Sequence, residues 1–177
     1  MKRRTELIVA GVVGGLALLT GAAVYAQAKY ALVSPGGVAF ADVKGYEDWA
    51  VVSTARTSEV LKVIVANPAM IQAYKAGAPG NGQSFPEGSR IVKLQWKPKK
   101  SAEATFDVDV PALFTQAFVM EKDSKRFPKT GGWGYAVFDY DAASATFRPN
   151  AALADCGHAC HVAVKSKDYI FHPYQVR

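Results

Sequence analysis

Residues 90–97 read RIVKLQWK, and apolar and polar side chains alternate along this stretch. In a β-strand, Val92, Leu94 and Trp96 would share one face, while Lys93 and its alternating neighbours would share the other. Further strand candidates are the stretches 49–56, 60–66, 106–110, 117–120 and 135–140. Many short strands with a few helices predict an α+β domain with a mainly antiparallel β-sheet.

Two helices are predicted outside these strands. Asn67 followed by Pro68 is a helix N-cap with proline in the first turn, so a helix should begin there and end at Gly77. Residues 78–89 are rich in Gly and Pro and should form a loop. Residues 151–165 are predicted to be helical around two cysteines, and an extended tail should follow over 169–174.

The first 28 residues have the features of an export signal. Three basic residues at 2–4 precede an apolar stretch at 7–25, which ends in Ala26-Gln27-Ala28, a small-x-small cleavage pattern. We therefore expect 1–28 to be a signal peptide and 29–177 to be one domain in a periplasm. An uncleaved membrane anchor is the alternative, because the apolar stretch approaches the roughly 20 residues that span a bilayer.

The charge of the chain excludes one class of partner. The formal net charge is +6 at pH 7, and no run of Lys and Arg is interleaved with aromatic residues. A balance this mild is typical of a solvated surface, so we expect no nucleic-acid partner.

The only two cysteines lie in the stretch DCGHACHV at 155–162. Haem c is usually attached through C-x-x-C-H, in which two thiols add to the haem vinyls and the adjacent histidine ligates the iron. Here Cys156 and Cys160 are one residue further apart, and His161 follows directly. Positions i and i+4 share a helical face, so two thioethers are still possible.

Three other interpretations of Cys156 and Cys160 are open from the motif alone. The pair could form a disulfide in an oxidising compartment, act as a redox-active dithiol, or belong to a metal site. A zinc site would need four ligands, and the chain offers only His158, His161 and His172 as histidines.

A wider set of segments points to a family. Asn67-Pro68, KDSKRF at 122–127, GWGY at 132–135, Cys160-His161 and KDYIF at 167–171 follow one another in this order. In this order the chain resembles the cytochrome P460 family, which also contains the cytochromes c′-beta. The resemblance runs from about Gly45 to Tyr174, and the CGHACH spacing is similar to that of one branch of the family.

This resemblance implies a cofactor and an activity. It implies a homodimer of an antiparallel β fold with helices and one covalently attached haem c. Cys156 and Cys160 would be the thioether donors, and His161 would be the proximal iron ligand opposite an open sixth position. Members of the P460 type oxidise hydroxylamine and carry a bond from a lysine nitrogen to a haem meso carbon. Their c′-beta relatives lack that bond and bind nitric oxide.

The resemblance also suggests pocket residues. Lys93 matches the position of the cross-linking lysine, with Lys97 as the second candidate, although alternation alone would equally allow Lys93 a solvated strand face. Lys62 falls where hydroxylamine-oxidising members have an arginine, and Asp123 could order the pocket; we predict catalytic roles for both. Among the other histidines, His158 is expected to point to solvent, and His172 is not expected to be a distal ligand.

The sequence therefore predicts a periplasmic mono-haem cytochrome that oxidises hydroxylamine to nitrogen oxides and passes electrons to another periplasmic cytochrome. The alternative is an open-site haem protein that binds nitric oxide without turnover. Electron transfer alone normally uses two strong axial ligands. No methionine is well placed for that role, since Met70 and Met120 lie in apparent core patterns.

Overall fold

The computed structural model of the chain describes residues 28–153 and 156–175. The predicted export signal, and its alternative as a membrane anchor, fall almost entirely on residues 1–27 and so lie outside the described residues. Within the described ranges, no helix has the length and apolar character needed to cross a membrane.

A single antiparallel sheet of six strands forms the centre of the fold. The strands pair in chain order, each with the next. They are β1 (Ala50–Arg56), β2 (Leu61–Ala66), β3 (Arg90–Lys100), β4 (Asp109–Lys122), β5 (Trp133–Asp141) and β6 (Thr146–Pro149). The predicted α+β class with a mainly antiparallel sheet is confirmed.

The helices are short. Helix α1 (Pro68–Lys75) follows β2, and Asn67 caps it by accepting a hydrogen bond from the Met70 N–H at 3.2 Å. Helix α2 (Cys156–His161) carries both cysteines. Short 3-10 helices are present at Phe40–Val43, Tyr46–Asp48, Pro128–Thr130, Ala151–Leu153 and Val162–Lys167.

Several local predictions were wrong. No strand spans 106–110, because β4 begins at Asp109 and Phe106 lies in an exposed bend. The alternating pattern at 106–110 was not sufficient for a strand, because no other part of the described structure covers the Phe106 side chain. Strand β6 was not predicted. The expected helix at 151–165 is interrupted, since 3-10 helix precedes and follows α2 and Val164 has non-helical φ and ψ.

Both faces of the sheet are covered, each by a separate apolar cluster. The helix-side cluster packs α1 and the C-terminal segment on the sheet and includes Ile64, Met70, Ile91, Met120, Trp133 and Tyr135. The opposite cluster packs residues 38–46 on the other face and includes Val38, Phe40, Val43, Val65, Val92 and Phe138. Because neighbouring strand residues face opposite sides, Ile64 and Val65 belong to different clusters.

Candidate functional site

A cleft opens on the helix-side face of the sheet, beside the C-terminal segment. Its empty volume, including the part that is open to solvent, is about 680 Å³. The wall is mostly apolar, and its titratable groups include an amine, a phenol and two imidazoles. The strands contribute Lys93, Phe118 and Tyr135 to this wall, and the C-terminal segment contributes Gly157, His161 and His172.

Helix α2 holds the two thiols at the edge of this cleft. Cys156 and Cys160 are exposed and are not joined to each other. Their i, i+4 spacing puts them on one face of the helix. The helix can lie directly on β5 because residue 157 is glycine: a Cβ there would come within 2.6 Å of the Tyr135 Cβ. The cysteine motif is local in the sequence, but the position of its helix therefore depends on this contact with β5.

Within the described residues, no three His, Cys, Asp or Glu side chains lie close enough together to hold a metal ion. A tetrahedral site built from protein ligands alone is therefore not formed in this part of the chain.

The orientation of His161 is fixed by a backbone carbonyl. Its Nδ1 lies 2.6 Å from the carbonyl oxygen of Tyr169. A carbonyl can only accept, so Nδ1 carries the proton and donates, and Nε2 keeps its lone pair. Burial is the largest influence on the pKa of His161 and lowers it, which favours the neutral ring. A neutral imidazole with a free Nε2 is the form that ligates iron.

Lys93 points into the apolar cleft. Its Nζ lies 3.9 Å from the ring centroid of Phe118, its directly paired neighbour on β4. Burial first, and then the positive charge of Lys62, lower the pKa of Lys93 to about 8. The alternating pattern allowed this face of the strand to be solvated, but in the structure it forms a wall of the cleft. At pH 7 about a tenth of this amine is neutral, compared with less than about a thousandth for an ordinary lysine.

The other predicted lysines lie further along the same face of the sheet. Lys62 on β2 pairs with Gln95, one row from the pair Ile64 and Lys93. Lys62 is near enough to influence the pKa of Lys93, but it does not line the cleft. The side chain of Lys97 is 53% exposed.

Asp123 lies outside the cleft. Its Oδ1 accepts hydrogen bonds from the backbone N–H groups of Lys125 and Arg126 at 3.1 and 3.0 Å, which caps a surface turn. The structure therefore brings Lys93 and His161 together, places Lys62 nearby and leaves Asp123 apart.

The expectation for His158 was wrong. This residue is half-buried rather than directed to solvent, and its ring centroid lies 5.6 Å from that of Tyr169 and 6.0 Å from that of Tyr135. Its Nδ1 is buried without a hydrogen-bond partner in the described part of the chain. The short helix turns this residue toward β5, which the sequence motif alone did not indicate.

His172 lines the cleft and is half-buried. Burial, followed by the charges of Lys93 and Lys62, lowers the pKa of its imidazole. A neutral ring is therefore favoured at this position as well.

Three residues of the site have no signal in the local sequence. Phe118 belongs to it through strand pairing with Lys93, and Tyr135 through its place on β5. Asp168 is connected to it through long-range hydrogen bonds. The Tyr135 hydroxyl is buried without a hydrogen-bond partner among the described residues, and burial raises its pKa.

The donor groups fit a haem held by thioether bonds. Two exposed thiols share a helical face, and His161 presents a neutral ring whose Nε2 carries the lone pair. The adjoining cleft is mostly apolar and open to solvent, and the buried Tyr135 hydroxyl offers a hydrogen-bonding group that no described protein group uses.

Comparison with known proteins gives one family. The family model described as Cytochrome P460 matches residues 43–172, which include both cysteines, Lys93 and His161. No curated protein matches the chain.

Proposed function

Because the chain belongs to the cytochrome P460 family, and is therefore a haem protein, we propose that it oxidises hydroxylamine to nitrogen oxides. The electrons would pass to another exported cytochrome. The observation that carries this proposal is the position of the Lys93 amine, which lines the same cleft as the His161 imidazole.

One covalently bound haem c would supply the redox centre for this reaction. Cys156 and Cys160 would hold it through thioether bonds, and His161 would ligate the iron through Nε2. The carbonyl of Tyr169 keeps the proton of His161 on Nδ1, which leaves Nε2 available. The apolar walls around Phe118 limit the entry of water and strengthen the electrostatic interactions of any small polar substrate.

Lys93 would form the lysine–haem bond of the P460 type. In that reaction its nitrogen would replace the hydrogen of a haem meso carbon, with loss of two protons and transfer of two electrons to an oxidant such as a peroxide. An amine acts as a nucleophile only in its neutral form, and a pKa of about 8 gives a far larger neutral fraction at pH 7 than an ordinary lysine has. Its place on the cleft wall and its lowered pKa both favour this bond.

The test combines a denatured mass with absorption spectra. The chain is expressed with periplasmic cytochrome c maturation, and ferric and dithionite-reduced spectra are recorded. We expect haem mass to stay on the denatured chain and the ferrous Soret band to be strongly red-shifted from that of an ordinary c-type haem. Lys93→Ala should abolish the red shift, while Lys97→Ala, on the same strand face, should keep it. A chain that loses its haem on denaturation would contradict covalent attachment.

Nitric oxide binding without turnover is the second candidate. Lys62 stands where the hydroxylamine-oxidising members resemble one another in having an arginine. An ammonium cannot form the two-pronged hydrogen bonds of a guanidinium. An ordinary high-spin c-type spectrum, with no effect of Lys93→Ala and no hydroxylamine turnover, would favour this function.

Export and dimerisation complete the proposal. We expect the mature protein to begin after Ala28 in the periplasm, and we expect it to be a homodimer, as the resemblance implies. The intact mass of the periplasmic product tests the cleavage site. Light scattering tests the oligomeric state, and a monomer at micromolar concentration would contradict the dimer.

A further inference from the structure

A buried ion pair lies behind the cleft and joins the end of β4 to the C-terminal segment. The Lys122 Nζ donates to Asp168 Oδ1 at 2.7 Å. The two side chains are only 7% and 8% exposed. Charged groups are rarely buried so deeply unless they are paired, and a pair of this kind fixes the position of the elements it joins.

The Asp168 carboxylate is held by two further donors. The indole N–H of Trp133 donates to Oδ1 at 3.2 Å, and the backbone N–H of Phe85 donates to Oδ2 at 2.8 Å. Trp133 and Phe85 are almost completely buried. Three donors from β4, β5 and the loop before β3 therefore converge on one carboxylate.

This anchoring acts on an unusual stretch of backbone. Asp168 and Tyr169 have φ values of 47° and 64°, so two consecutive residues other than glycine occupy the left-handed region. This conformation is unfavourable for a large side chain and persists only where the surroundings impose it.

The same lysine also supports the ring of Tyr169. Lys122 Nζ donates to the Gly131 carbonyl at 3.1 Å. A Cβ on Gly131 would overlap the Tyr169 ring, so the ring lies directly on this turn. Lys122 therefore fixes both the carboxylate before Tyr169 and the surface on which Tyr169 rests.

The consequence falls on the carbonyl of Tyr169, which accepts the hydrogen bond from His161 Nδ1 at 2.6 Å. We propose that Lys122 and Asp168 are positioning residues for the haem ligand: their ion pair holds the turn at Asp168 and Tyr169 so that this carbonyl sets the orientation and basicity of His161. This inference rests on the proposed ligation of haem iron by His161.

The chemical effect follows from the direction of the hydrogen bond. A strong acceptor at Nδ1–H increases electron density at Nε2 and strengthens its bond to iron. Hydrogen bonding to the axial ligand also sets the reduction potential, with a more electron-rich ligand favouring the ferric state. A displaced Tyr169 carbonyl should therefore weaken the iron–histidine bond and raise the potential.

The test uses the haem-loaded protein with Asp168→Asn and Lys122→Met. Asp168→Asn turns an amide N–H₂ toward one of the donors that now face a carboxylate, and Lys122→Met removes the ammonium from both of its acceptors. We expect the iron–histidine stretch in the ferrous resonance Raman spectrum to move to lower frequency in each variant. We also expect the midpoint potential to rise. The double variant should show less than the sum of the two shifts, because the residues act as one unit.

Val43→Ala is the matched control, since Val43 is fully buried in the opposite cluster and touches none of this network. It should lower stability without moving the stretch or the potential. Unchanged values in Asp168→Asn and Lys122→Met, at normal haem content, would overturn the inference. An equal shift in Val43→Ala would also overturn it, because the shift would then follow from a general loss of stability.

Two further measurements cover a failure of the main variants. If Asp168→Asn does not fold, Trp133→Phe removes a single donor from the carboxylate and should give a smaller shift in the same direction. If the wild-type chain carries no haem, the proposed function has failed by itself. Histidine ¹⁵N spectra of that haem-free chain then test the positioning, because Lys122→Met should lose the Nδ1–H tautomer of His161. Retention of the tautomer would overturn it.

Discussion

The residue that most affects the chemistry of the cleft is Lys93. An amine on an apolar wall loses hydration, and the nearby charge of Lys62 adds repulsion, so both effects disfavour the protonated form. The ring of Phe118 offsets part of the free-energy cost of burying the protonated amine, because a cation over an aromatic face is attracted to it. Burial is the largest influence on the pKa of Lys93 and lowers it.

This lowered pKa predicts a specific dependence of stability on pH. Below about pH 8 the folded haem-free chain bears the cost of a buried ammonium. Between about 8 and the ordinary value of 10.5, the folded state has released this proton while the unfolded state still binds it, so stability rises with pH. Lys93→Met should therefore be more stable than wild type by about 2 kcal/mol at pH 7, allowing for partial exposure.

Urea unfolding of the haem-free chain at several pH values measures this difference. The advantage of Lys93→Met should shrink through the window from about pH 8 to 10.5. Ile91→Val, a non-titrating change on the same strand face, should differ from wild type by the same amount at every pH. A constant advantage of Lys93→Met across the window would show that the burial of charge is not its cause.

At the scale of elements, α1 depends on its cap. Asn67 Oδ1 accepts from the Met70 N–H at 3.2 Å and the Arg90 N–H at 3.1 Å, and its Nδ2 donates to the Gly88 carbonyl at 2.8 Å. One buried side chain therefore joins the start of α1 to the start of β3.

Asn67→Ala should lower the free energy of unfolding by about 2–3 kcal/mol, because it leaves buried backbone groups without partners. Chemical denaturation measures the change. Asn81→Ala is the control, since Asn81 makes two similar hydrogen bonds at the exposed surface. It should cost less than about 1 kcal/mol, because water can replace these bonds. Equal costs would mean that burial does not decide the strength of the cap.

In helix α2, helix propensity and side-chain packing favour different residues at position 157. Gly157→Ala should favour helix α2 by about 1 kcal/mol on propensity alone. The added Cβ would lie 2.6 Å from the Tyr135 Cβ, however, and overpacking of this kind costs about 1–3 kcal/mol.

We therefore expect Gly157→Ala to lower the melting temperature and the fraction of chains that retain haem in a denatured mass spectrum. Ala159→Ser, at an exposed position of the same helix, should change neither quantity appreciably. If Gly157→Ala raised the melting temperature, propensity would dominate and the close approach of α2 to β5 would not be required.

The elements that could be predicted from the sequence carry local signals. The cap at Asn67 and the alternation along β3 required no knowledge of the rest of the chain, and neither did the helical segment around Cys156, Cys160 and His161. The turn at 168–169 could not be predicted, because Asp168 is fixed by Lys122, 46 residues away, and by Trp133, 35 residues away. Lys93 lies between these cases: alternation gave its strand face but not what covers that face.

At the scale of the whole molecule, one sheet separates two apolar clusters that have different roles. The helix-side cluster borders the cleft and contains Trp133 and Tyr135, so its packing reaches the side chains that line the cleft directly. The opposite cluster packs residues 38–46, and of its members only Val119 and Ala136 also line the cleft. Stability should depend on both clusters, whereas the properties of the haem should depend mainly on the helix-side cluster.

Ile64 and Val65 allow this division to be tested with two adjacent residues of β2. Both are at most 5% exposed, but Ile64 lines the cleft and Val65 belongs to the opposite cluster. Ile64→Ala and Val65→Ala should each lower the free energy of unfolding by about 2–4 kcal/mol through lost burial and the resulting cavity. Only Ile64→Ala should shift the ferrous absorption and Raman bands of the loaded protein. Equal spectral shifts in both variants would show that the sheet transmits strain between its faces, and that the two clusters do not act separately.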